Sequence, residues 1–76
     1  MSIHNGAENA LLLRRPAVER LTGKSRATIY ADIKSGRFPA PIKIGAQASA
    51  WLASEIDAWI ATRVAERDAQ AHESEV

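Results

Sequence analysis

Side chains able to do covalent or acid–base chemistry are few in this chain, and their spacing does not bring them together. There is no cysteine, and the two histidines, His4 and His72, stand near opposite ends. A serine nucleophile needs a base beside it, and neither histidine falls in the periodic, fold-forming part of the sequence. Glu55 and Asp57 are two positions apart, so on a helix they point in different directions and do not form a carboxylate pair. The four glycines are scattered, with none in a phosphate-cradling loop. A zinc site needs several converging ligands, which His4 and His72 alone do not supply. These residues predict no catalytic group, no metal site and no cofactor, and hence a binding protein rather than an enzyme.

A different chemistry is suggested by the stretch from Lys24 to Ser35. With about 100° of rotation per residue, Ile29 and Ile33 define the inward side of a helix and Tyr30 borders it. Ala27, Thr28, Ala31 and Ser35 then lie opposite, with Lys34 on the flank and Lys24 just before the helix. Small side chains edged by cations let a helix approach the floor of the major groove, where alanine and threonine methyls can meet thymine methyls. Ser25, Arg26 and Thr28 occupy the N-terminal end, the end that enters the groove in helix-turn-helix proteins. Farther along, Lys43 and Gln47 sit on and beside the tip of a predicted hairpin, which can lie along the DNA backbone or minor groove. A plainer use exists for each: Ser25 and Thr28 as a helix cap, Arg26 as a solvated cation, and the hairpin as a completion of the core.

The charge pattern favours the nucleic-acid use. The net charge is only +1, but from Leu12 to Gln47 eight basic residues face Glu19 and Asp32 alone, giving +6. From Ala48 to Val76, Arg63 and Arg67 face six acidic residues, giving −4. Such a split predicts a cationic surface at one end of the domain.

The elements that position these residues read as follows. The 76 residues allow one domain near the lower limit for a self-supporting core. Residues 1–10 are polar and aperiodic and are expected to form a disordered arm. Leu11 to Leu13 form a brief extended segment. Pro16 opens a short helix, with Val18 and Leu21 as its apolar pair and Gly23 as its left-handed terminator. Ser25 caps a second helix, which Gly36 ends. Pro39 and Pro41 impose an extended crossing, anchored by Phe38. Ile42, Lys43 and Ile44 alternate as a half-buried strand, Gly45 to Gln47 make a turn, and Ala48 to Trp51 return. Ser54 begins the last helix, with Glu55 and Asp57 in its first turn. Ile56, Trp59, Ile60 and Val64 form its inward stripe, and Trp51 and Trp59 are expected in the core. The domain is predicted over residues 11–68, and residues 69–76 as a frayed acidic tail. The result is a mainly α winged helix-turn-helix: helix, turn, helix, hairpin, helix. No apolar run approaches the ~20 residues of a membrane span, and Met1 to Asn9 lack a signal-peptide pattern, so a cytoplasmic protein without membrane contact is expected.

The motifs Ser25-Arg-Ala-Thr-Ile-Tyr30, Gly36-Arg-Phe-Pro39 and Trp51-Leu-Ala-Ser-Glu-Ile-Asp-Ala-Trp-Ile60, together with Leu21-Thr-Gly23 and Pro41-Ile-Lys-Ile-Gly45, occur in an order and spacing that resembles the AlpA-type prophage regulators. That family sits within the wider group of MerR-like and phage excisionase winged helices, and the resemblance covers about residues 11–67. It implies a sequence-specific double-stranded DNA-binding protein of the bacterial nucleoid. Its role would be to regulate nearby prophage promoters, or to act as an excisionase with an integrase. Further copies on repeated sites, an integrase or RNA polymerase are the partners it implies. Ser25, Arg26, Thr28 and Tyr30 fall on the family's recognition-helix motif, and Lys43 and Gln47 on its wing. Ala31 departs from the arginine or other long polar residue that relatives often carry there, and Gln47 from the arginine they commonly carry at the wing tip. A wing glutamine brings no charge, and loss of one phosphate contact flattens the salt dependence of binding by about one unit. Two alternatives are a module of a phage packaging complex of the terminase small-subunit kind, and a protein-interaction adaptor that keeps the fold without binding DNA.

Overall fold

Two glycines punctuate the helix-turn-helix. Helix α1 (Arg15–Thr22) starts with Pro16 in its first turn and ends at Gly23, whose φ of 75° places it in the left-handed region. There the Gly23 N–H donates to the Glu19 carbonyl at 2.8 Å, closing the helix in the manner that glycine permits without a Cβ clash. Helix α2 (Arg26–Lys34) is capped by Ser25, whose hydroxyl oxygen accepts from the Thr28 N–H at 3.2 Å. Gly36, at φ 79°, turns the chain out of α2, and the Arg37 N–H reaches back to the Asp32 carbonyl at 2.8 Å. The computed structural model describes the backbone of residues 11–75 and the side chains of residues 11–71. The expected N-terminal arm at 1–10 and His4 lie outside the described residues.

After the proline crossing the chain forms a hairpin, β2 (Ile42–Gly45) and β3 (Ala48–Leu52). A third strand, β1 (Leu12–Leu13), pairs antiparallel with the other edge of β3, so the sheet order is β1-β3-β2. Leu13 stands opposite Trp51, Ile42 opposite Ala50 and Lys43 opposite Ser49. Helix α3 (Ala53–Glu75) follows β3 without a loop, and its start is tied to the sheet by the Ala53 N–H, which donates to the Leu11 carbonyl at 2.7 Å.

Val18, Ile29, Phe38, Trp51 and Ile56 form the buried cluster, one each from α1, α2, the crossing, β3 and α3, with Leu13, Ile33, Trp59 and Ile60 packed around it. Both indoles also donate hydrogen bonds to the crossing: Trp51 Nε1 to the Pro39 carbonyl at 2.8 Å and Trp59 Nε1 to the Arg37 carbonyl at 3.0 Å. Buried polar groups need such partners, and here the partners are the carbonyls of a segment with no sheet or helix ladder of its own. The Phe38 ring meets Trp59 edge-on at 5.1 Å between centroids, a favoured aromatic geometry.

The winged helix-turn-helix expected from the sequence is the fold observed. Five details differ. Val64, expected on the inward stripe of the last helix, is 40% exposed, since the packed part of that stripe ends at Ile60. Leu21 is 54% exposed, because only Val18 of the proposed pair reaches the core. Ile42 and Ile44 are 40% and 45% exposed, so β2 is not the half-buried strand its alternation suggests. Helices α1 and α3 pack over the central strand β3 while β2 is an edge strand, and a bulge between Lys43 and Gly45 interrupts the alternation at Ile44. Helix α3 begins at Ala53 rather than Ser54 and keeps only Glu55 in its first turn. It also continues to Glu75, beyond the expected change at about Ala69. Residues 61–71 of this helix are exposed, so this stretch rests on helix-favouring alanine, glutamate, glutamine and arginine and on the i,i+3 pair of Arg63 with Glu66 at 2.8 Å.

Candidate nucleic-acid interface

The outward face of α2 follows from the burial of Ile29, which is fully enclosed, and the partial burial of Ile33. With those two turned inward, Arg26, Ala27, Thr28, Tyr30, Ala31 and Lys34 are all exposed, as is the capping Ser25. The Ser25 hydroxyl donates to Thr28 Oγ1 at 3.0 Å while accepting from the Thr28 N–H. Ser25 and Thr28 therefore do serve as the cap, and the cap itself is on the exposed end of the helix. Arg26, the first residue of α2, makes no ion pair among the described residues.

Lys24 stands apart from this group. Its ammonium is ion-paired with Asp32, and its side chain is only 19% exposed. It also lies 5.3 Å from the Trp59 ring centroid and 6.0 Å from that of Phe38, within cation–π range. A lysine just ahead of α2 in sequence is thus part of the packing rather than of the exposed face. In the same way Arg15 pairs with Glu19 at 2.9 Å. That hydrogen bond, with a smaller contribution from Tyr30, holds the Arg15 guanidinium above its ordinary pKa despite some desolvation.

These two pairs use both acidic residues of the basic segment. The +6 of residues 12–47 is therefore carried by Arg14, Arg20, Arg26, Lys34, Arg37 and Lys43, none of which is ion-paired among the described residues. Lys43 is exposed on β2 opposite Ser49, and Gln47 is exposed in the hairpin turn.

A concavity of about 510 Å³ joins part of this set. It brings Arg26 and Tyr30 of α2 together with Gln47 of the hairpin, and adds Arg14, Arg15 and Ser49. Trp51 lines it too, and its ring lies 6.5 Å from that of Tyr30. Lys24, Lys34 and Lys43 do not line it. Arg14 and Ser49 were not singled out by the periodicity of α2 or by the hairpin tip. The available signal was the sheet: once β1 pairs with β3, the residue after β1 and the residues facing outward on β3 become neighbours.

Comparison with known proteins supports the same reading of the chain. Residues 11–64 match the family described as Prophage CP4-57 regulatory protein (AlpA). An uncharacterised protein, ORF88, of Enterobacteria phage P4 is 49% identical over 55 residues, covering 72% of this chain and 62% of that protein. The DNA-binding transcriptional activator AlpA of Escherichia coli (strain K12) is 38% identical over 65 residues, covering 78% of this chain and 93% of that protein. The chain thus spans less than two thirds of the phage P4 protein and nearly all of AlpA. The matched segment holds β1, the helix-turn-helix, the hairpin and the packed first half of α3, and the chain belongs to the AlpA family of prophage regulatory proteins.

Proposed function

We propose that the chain is a sequence-specific double-stranded DNA-binding regulator of prophage genes, without enzymatic activity, acting in the bacterial cytoplasm at the nucleoid. The observation that carries this reading is the outward face of α2. It offers small side chains at Ala27, Thr28 and Ala31, edged by Arg26 and Lys34, on a helix whose N-terminal end is exposed and capped. A face of that kind suits entry into the major groove, with Lys43 and Gln47 of the hairpin beside the backbone. The name of the E. coli relative, a DNA-binding transcriptional activator, agrees with it. On this reading residues 11–68 are the DNA-binding unit, and Ser25, Arg26, Ala27, Thr28, Tyr30, Ala31 and Lys34 face the groove.

A domain of this size reads few base pairs, so useful specificity calls for several copies on repeated sites. The acidic end of α3 and the basic face of a neighbour are complementary in charge. Sedimentation on one-site and two-site DNA tests this, with tighter binding per site on the longer DNA expected. Transcriptional control with RNA polymerase and excision with an integrase are the two routes open to such a regulator. Finding an integrase gene adjacent in the genome would favour excision or prophage control.

The direct test is a gel-shift series against fragments of the host genome at rising salt. Salt-sensitive binding with one fragment strongly preferred is expected. No salt-sensitive binding to any duplex would overturn the reading in favour of an adaptor that keeps the fold.

A further inference from the structure

The geometry points to a seat for a DNA backbone phosphate in the concavity between the start of α1, the start of α2 and the hairpin, with Arg14 as its own cation; this assignment rests on the DNA-binding reading above. Three features support it. First, the concavity is lined mainly by hydrogen-bonding and cationic groups, from Arg14, Arg26, Tyr30, Gln47 and Ser49. Each of these side chains carries a hydrogen-bond donor of the kind a phosphate oxygen accepts. Second, no carboxylate is among the residues that line it, and Glu19, the acid nearest in sequence to Arg14, is held by Arg15 at 2.9 Å. Arg14 and Arg26 are left without an acidic partner among the described residues, so the space is cationic rather than internally neutralised. Third, its walls come from two elements that the DNA reading assigns to the duplex, α2 and the hairpin. The strand that borders a groove entered by α2 would pass between them.

Arg26 stands at the border of this seat and of the outward face of α2, whereas Arg14 belongs to the seat alone. A phosphate contact positions a protein on DNA without reading its sequence. The assignment therefore gives Arg14 a role different in kind from that of the α2 face: it sets the register of docking and adds an equal increment of affinity on every duplex.

The experiment compares the full chain with Arg14→Ala, Arg14→Lys and Arg67→Ala on a preferred fragment and on a mixed-sequence duplex, across about 50 to 200 mM salt. Each variant is first shown to unfold at the temperature of the unaltered chain. Arg14→Ala is expected to lower the slope of log affinity against log salt by about 0.9. Across that range the unaltered chain then loses roughly threefold more affinity than the variant does. The loss from Arg14→Ala should be the same on both duplexes. Arg14→Lys should recover most of the slope, and Arg67→Ala should leave it unchanged. If the unaltered chain binds with salt sensitivity but Arg14→Ala keeps its full slope, the seat is overturned and the DNA reading stands. A loss confined to the preferred fragment also overturns it, making Arg14 a base reader. If the unaltered chain binds no duplex, both fall.

Discussion

At one corner of the helix-turn-helix, Lys24 is paired with Asp32 and lies against the rings of Phe38 and Trp59. At another, Arg14 and Arg26 line an open concavity and have no acidic partner among the described residues. Lys24 and Arg26 are separated by one residue, and a count of charge along the chain treats them alike. The fold does not: the first cation stabilises the protein, and the second is available to a ligand. Charge in a sequence is therefore only an upper bound on charge presented to DNA, and the positions of the few acidic residues decide the remainder.

The largest effect is expected in the buried cluster that underlies both corners. Trp51 is buried, donates to Pro39 and lines the concavity. Trp51→Ala should lower stability by about 3–5 kcal/mol, read from urea unfolding. A loss under about 1 kcal/mol would show that the corners do not depend on one core. Next, Arg26→Ala should weaken binding to the preferred fragment by about 1–3 kcal/mol and leave the unfolding midpoint nearly unchanged. Lys34→Ala should produce a smaller loss that is equal on all sequences. Equal losses on all sequences from both would make Arg26 a phosphate contact too.

The opposite result is expected at the other corner. Lys24→Ala should reduce stability by about 1–2 kcal/mol, through the partly buried ion pair and the ring contacts, with no change in the salt slope of DNA binding. A slope lower by one unit would erase the contrast between the corners. Gln47→Arg should add a cation at the hairpin turn and steepen that slope by about 0.9. Far from both corners, Arg67→Ala removes an exposed pair with Asp68 and should change stability by less than about 0.5 kcal/mol, measured by thermal melting.

Features governed by local chemistry were legible in the sequence. Gly23, Ser25 and Gly36 act through their own backbone or the next turn, so their roles follow from residue type and spacing. The burial of Val18, Ile29, Phe38 and Trp51 was legible for a similar reason, since each falls on the apolar side of its element. Leu21, Ile42 and Ile44 were misread because their exposure depends on which elements cover them. Helices α1 and α3 pack chiefly over β3, the central strand, and no periodicity within a strand reports its place in the sheet. The α2 face was legible from helical geometry alone. The engagement of Lys24 was not, because Asp32 is a full two turns of sequence away and both rings come from other elements. Arg14 escaped notice for the same reason: its proximity to Gln47 and Ser49 is created by the pairing of β1 with β3.

The indole hydrogen bonds of Trp51 and Trp59 have a consequence for the thermodynamics of association. Each fixes a carbonyl of the crossing that joins α2 to the hairpin, and two proline rings already restrict that segment. The separation between α2 and the hairpin is therefore established before any ligand arrives. A partner seated between them loses its own freedom but does not have to order the protein as well. Substituting Trp59 with phenylalanine would keep an aromatic ring and remove the donor. It would separate the entropy of that pre-set spacing from the contacts made within it.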